Sequence, residues 1–126
     1  MTTEATPGRL RRALKKLSAT PDEMEADEIG EAREKVGGCQ SIEKLKDREL
    51  VTVYGHLKHV TLAPRAGTPT LEAALYDGSG VVTLVWLGRR TIVGVKPGAS
   101  LVAHGRVSCN EGRRVIYNPR YELRAP

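Results

Sequence analysis

A chain of 126 residues has room for one core of ordinary size, which excludes a motor or a multidomain catalytic assembly. No apolar run reaches the length of a membrane helix, and the opening MTTEATPGRLRR lacks the apolar stretch of a signal peptide; a cytoplasmic protein with no membrane partner is expected. The net charge of +5 is unevenly spread: residues 1–50 hold ten Lys/Arg against eleven Asp/Glu, whereas residues 51–126 hold ten against four, together with every aromatic residue.

In chain order, GRLRRALKKL comes first. Leu10, Leu14 and Leu17 line one face of a short helix whose remaining surface is basic. This stretch, about the first 20 residues, is expected to be a solvated terminal segment, with a nucleic-acid arm or an interface with a partner as the functional alternative. A second helix is expected from TPDE, where Thr20 caps, Pro21 suits the first helical position and Glu23 completes a capping box; Gly37-Gly38 should end it. It is acidic, with Asp22, Glu23, Glu25, Asp27, Glu28, Glu31 and Glu34 set against Arg33. Residues 1–47 thus read as a helical segment and 48–126 as a β domain.

From Leu50 the hydrophobic period becomes two. LVTVYGHLKHV gives a first strand with a bulge or bend at Gly55. Its alternation points His56 and His59 to opposite faces. APRAGTPT should be an irregular loop, TLEAALYD a second strand, DGSG a hairpin turn and VVTLVWL a third strand. SLVAHGRVS is a fourth strand, and RVIYNPRYEL a fifth that Pro119 must interrupt or place at an edge. Five short antiparallel strands with a curved first strand predict a mainly β fold, a small closed Greek-key barrel, rather than a sandwich.

The succession GHLKHV, ALYDGSGVVTLVWLG, KPGASLVAHGRV and RVIYNPRYEL resembles the OB-fold pattern. It is similar to the wedge domain of RecG-type branch-migration helicases, to the anticodon-binding domains of class II aminoacyl-tRNA synthetases, and most of all to small stand-alone OB-fold proteins of actinobacteria. The resemblance covers about residues 48–124. It implies a nucleic-acid-binding surface on strands 2 and 3, flanked by the loops joining strands 1 to 2 and 4 to 5, and imports no ATPase, since no GxxxxGK[ST] is present.

Chemistry other than binding finds little support. DGSG lies between two strands, where a phosphate loop would have to open a helix. His56, His59 and His104 with Cys109 show no metal-ligand spacing, Cys39 and Cys109 lack CxxC partners, and the barrel's carboxylates form no acid–base pair. The expectation is no enzyme, metal, cofactor or small-molecule substrate. On the implied surface the candidate phosphate contacts are Lys58, Arg65, Arg89, Arg90, Arg106, Arg113 and Arg114, with Tyr76 as the residue on which a base stacks. Trp86 is expected in the core, Tyr54 beneath the acidic helix, and Tyr117 and Tyr121 as anchors of the last strand. The expected partner is single-stranded or branched DNA, or RNA, bound with little sequence preference. The alternative is a protein-interaction or self-association module, which exposed Val81, Val85 and Leu87 would favour.

Overall fold

The computed structural model describes residues 20–125; the basic helix expected around Leu10, Leu14 and Leu17 lies outside them. Helix α1 spans Pro21–Val36. Thr20 is extended and its Oγ1 accepts the Glu23 amide at 3.2 Å, which satisfies one of the helix's orphan donors. Gly37, at φ 74°, closes the other end by donating its amide to the Arg33 carbonyl. A 3₁₀ turn at Ile42–Lys44 then leads into the sheet.

Six strands follow: β1 Leu50–Leu62, β2 Thr70–Tyr76, β3 Val81–Leu87, β4 Ser100–Asn110, β5 Arg113–Tyr117 and β6 Arg120–Arg124. Their neighbour order is β1-β2-β3-β5-β4-β6, and a further pairing of β1 with β4 closes the sheet into a barrel. β3 and β5 run parallel. The expected fifth strand is present as β5 and β6, which lie end to end along β4, with the register slipping by one residue between the Val107–Ile116 and His104–Arg120 pairs. Asn118 and Pro119 form the break, because proline has no amide to offer the ladder. The Asn118 amide is satisfied by the Val85 carbonyl at 2.6 Å, and its side chain accepts the Leu87 amide at 3.0 Å. The fold is thus a five-stranded OB-like closed barrel with its last strand broken once, preceded by a helix.

β1 serves two partners, pairing with β4 through its first half and with β2 through its second. Gly55 sits where this transfer occurs: a Cβ there would fall 2.4 Å from the Tyr76 carbonyl oxygen, so only glycine allows β1 to swing so close to β2. The bulge itself lies further on, between Leu57 and His59. It corrects the expectation for the histidines. His56 pairs with Tyr76 and His59 with Ala74, so the extra residue, Lys58, brings both rings to the outer face.

Inside the barrel, Val51, Val53, Leu57, Leu75, Leu84 and Leu101 pack with Ile42 and Leu45 from the 3₁₀ region and with Ile92 and Val95 from the β3–β4 connection. Trp86 belongs to this core, as expected; its Nε1 donates to the Pro119 carbonyl at 3.2 Å and its ring meets Tyr121 edge-on. A second cluster, Ile29, Tyr54 and Val102, fixes α1 to the outside of the barrel. Tyr54 therefore does lie beneath the acidic helix. No helix among the described residues is long and apolar enough to cross a membrane.

Candidate nucleic-acid interface

Two tight turns shape one rim of the barrel. Between β1 and β2, the stretch expected to be irregular extends the hairpin instead: Arg65 and Thr68 exchange amide–carbonyl bonds of 2.9 Å across Ala66 and Gly67. Those two residues have φ of 50° and 79°, the left-handed pair that a type I′ turn needs. The β4–β5 connection repeats the device, with Glu111 at 52° and Gly112 at 76° between the paired Asn110 and Arg113. Each turn fixes the backbone of an arginine beside it.

The two arginines converge. Arg65 donates to Glu72 Oε2 at 3.0 Å and Arg113 to Glu72 Oε1 at 3.3 Å, so one carboxylate on β2 holds a guanidinium from each turn. The Glu72 side chain is 17% exposed, whereas Arg65 and Arg113 are 45% and 57% exposed. Arg65 is pushed above its ordinary pKa by its hydrogen bond to Glu72, then by the attraction of that carboxylate, then by the Tyr117 hydroxyl. The register sets Glu72 opposite Val85, and Val85 opposite Tyr117, placing the three on one outward row across β2, β3 and β5. Val85 is fully covered, while Tyr117 is 47% exposed. Arg65, Asn110, Arg113 and Tyr117, with Ser108, Val115 and the acidic Glu111 of the turn, line a cleft of about 410 Å³. Sequence reasoning placed Tyr117 as an anchor and passed over Glu72; the structure makes them the exposed aromatic and the carboxylate of this site.

Other candidate residues lie elsewhere. Lys58 is ion-paired with Glu25 of α1 and sits 5.3 Å from the centre of the Tyr76 ring. Tyr76 does point outward, yet it is half-buried against the α1 cluster and its hydroxyl reaches the Gly78 carbonyl at 3.4 Å. Both its face and its polar end are already engaged. Arg106 donates to the Arg48 carbonyl, and Arg114 to the Glu43 carbonyl at 3.4 Å, near the 3₁₀ turn. Arg89 and Arg90 are exposed and follow Gly88, whose amide bonds to the Pro69 carbonyl. They therefore share the rim of the β1–β2 turn with Arg65.

At the far end of β2, Asp77 joins three elements. Its Oδ2 accepts Arg33 Nη1 of α1 at 2.9 Å and the Ile42 amide at 2.8 Å; its Oδ1 accepts the Ser79 amide and hydroxyl and the Gly80 amide. The carboxylate is completely buried. Burial alone would raise its pKa, but the bonds from the Ser79 hydroxyl and from the Ile42, Ser79 and Gly80 amides outweigh it and hold the group below the usual range. DGSG turns a hairpin, as the sequence indicated, and also staples α1 to the barrel. The cleft beside it, about 500 Å³, is lined by Asp27, Glu31, Glu34 and Glu43 together with Arg33, which Asp77 already pairs; the balance is acidic and disfavours phosphate.

No protein-family model matches the chain, and no curated protein matches it in sequence. Solved structures do. A structure of RecG bound to a three-way DNA junction aligns with a TM-score of 0.57 at 25% identity, over 66% of this chain and 12% of the RecG chain. The p204 HINb domain gives 0.57 at 14% identity over 72% of this chain and 49% of its own. The Ifi202 HINa domain in complex with 20-bp double-stranded DNA gives 0.54 at 11%, over 74% and 50%. The chain spans about half the length of the HIN chains and a small part of RecG. By fold it is an OB-like barrel similar to domains found in DNA-bound structures.

Proposed function

We propose that this chain is a nucleic-acid-binding module, not an enzyme, taking single-stranded DNA or RNA, including the single-stranded parts of branched molecules. The observation that carries the reading is the convergence of Arg65 and Arg113, from two rigid turns, beside the exposed ring of Tyr117. Guanidinium groups suit phosphate oxygens, and a tyrosine face takes any base, worth about 1–3 kcal/mol per stacked base. Backbone phosphate contacts and stacking both tolerate any sequence, so little sequence preference is expected. Arg89 and Arg90 extend the basic rim. The junction-bound RecG structure adds support, being 25% identical to this chain over the aligned part, against 14% and 11% for the two HIN domains. The test is fluorescence anisotropy with labelled single-stranded oligonucleotides at low and raised salt: affinity should fall steeply with salt. Absence of binding at micromolar protein, or binding indifferent to salt, would sink the reading. A protein partner is the second reading, favoured by exposed Val81, Leu87 and Val93. It predicts salt-insensitive association with a polypeptide that survives nuclease treatment.

A further inference from the structure

Two guanidinium groups held side by side repel one another, and in this site a single, mostly covered carboxylate keeps them together. Glu72 offers one oxygen to Arg65 and the other to Arg113, at 3.0 and 3.3 Å, much as a phosphate would offer two of its oxygens to two arginines. We propose that Glu72 holds the place of a backbone phosphate, so that binding a strand exchanges one anion for another between Arg65 and Arg113. The inference rests on the nucleic-acid reading above and names a specificity element of that same site.

Three features of the site carry it. The arginine backbones are fixed by the turns at Ala66–Gly67 and Glu111–Gly112, and both side chains reach the same carboxylate, so the two cations are brought together before a ligand arrives. Both guanidinium groups are about half exposed, whereas the carboxylate between them is mostly covered; the arginines thus present their remaining N–H groups to solvent. Tyr117 lies on the same row, placing a stacking surface beside the phosphate position. In the free protein Glu72 cancels part of the positive potential, which weakens binding of stray anions. A strand bringing both a phosphate for the arginines and a base for Tyr117 can displace the carboxylate, which turns aside by side-chain rotation.

The experiment measures anisotropy with a labelled oligothymidylate and with an abasic strand of equal length, over a salt series, for wild type, Glu72→Gln and Glu72→Ala. Glu34→Gln serves as a control that removes the same charge from α1. Each variant is first melted thermally to confirm folding; Glu72→Ala serves if the glutamine variant does not fold. Glu72→Gln should bind both strands about three- to tenfold more tightly, with a salt slope steeper by about 0.7 for each phosphate newly neutralised, and should exceed Glu34→Gln. Unchanged or weaker binding, a gain equal to that of Glu34→Gln, or a gain confined to the strand with bases would overturn it. If wild type binds and Arg65→Ala weakens it while Glu72→Gln brings no gain, the exchange alone fails; if no variant binds, the nucleic-acid reading falls with it.

Discussion

Tyr117 and Tyr76 both face outward from the barrel, but only Tyr117 presents a free ring, since Lys58 and the α1 cluster occupy Tyr76. Tyr117→Ala should therefore weaken oligonucleotide binding about five- to hundredfold, the range of one lost stack, while leaving the melting temperature nearly unchanged. Tyr76→Ala should show the opposite: a lowered melting temperature and little change in anisotropy. Asp77 is the other decisive residue, because its carboxylate is buried with an arginine and several amides depending on it. Asp77→Ala should cost about 3–5 kcal/mol in urea unfolding, the usual consequence of removing one partner of a buried pair. Its folded pKa lies below the ordinary value, so the stability it contributes is fully present above the unfolded pKa of about 3.9. It is lost as the pH falls through the folded pKa. Unfolding free energy measured across acid pH should decline for wild type and decline less for Asp77→Asn. In the sequence Asp77 reads as a turn residue, which it is; its long-range partners, 35 and 44 positions away, leave no local trace.

Among the elements, those specified by adjacent residues were the legible ones. The cap at Thr20 and the glycines after Val36 bound α1 where local chemistry places them, and Asp77–Gly80 turns the hairpin between β2 and β3. The bulge at Lys58 was not legible, because an extra residue in one strand has meaning only against its partner. The turn at Ala66–Gly67 was hidden for another reason: alanine at φ 50° is not a residue that announces a left-handed position. The docking of α1 depends on close backbone approach at one point. Gly78 has φ 93°, and a Cβ added there would lie 2.5 Å from the Ala26 carbonyl oxygen. Gly78→Ala should destabilise the fold by about 2–4 kcal/mol, and hydrogen exchange should report the loss first in α1, with the barrel amides protected longer.

At the scale of the molecule, the charge asymmetry seen in the sequence becomes a spatial one. Arg65 and Arg113 converge on one carboxylate and the exposed Arg89 and Arg90 follow Gly88, which is bonded to Pro69 just after the β1–β2 turn, while acidic side chains of α1 line the cleft by the Asp77 hairpin. Which of the basic residues would converge could not be read from composition, since Arg106 and Arg114 turn to main-chain carbonyls instead. Replacing Arg65 and Arg113 together by alanine should weaken binding to every sequence alike and flatten the salt slope by about 0.7 per lost phosphate contact. The pair Arg106→Ala and Arg114→Ala should do much less in the same titration.

The single-residue slip at Asn118–Pro119 acts as a reversal of phase. Tyr117 and Tyr121 are four positions apart, and on an unbroken strand they would share one side of the sheet. Because the ladder steps by one between them, Tyr121 turns inward against Trp86, at 5.7 Å between ring centres, while Tyr117 is left at the surface. One misfit residue in the closing strand thus decides which tyrosine the barrel keeps for its own stability and which remains for a ligand. Were the ladder to run on without that step, the two tyrosines would share a side, and the barrel would have to give up either the ring packed against Trp86 or the ring at its surface.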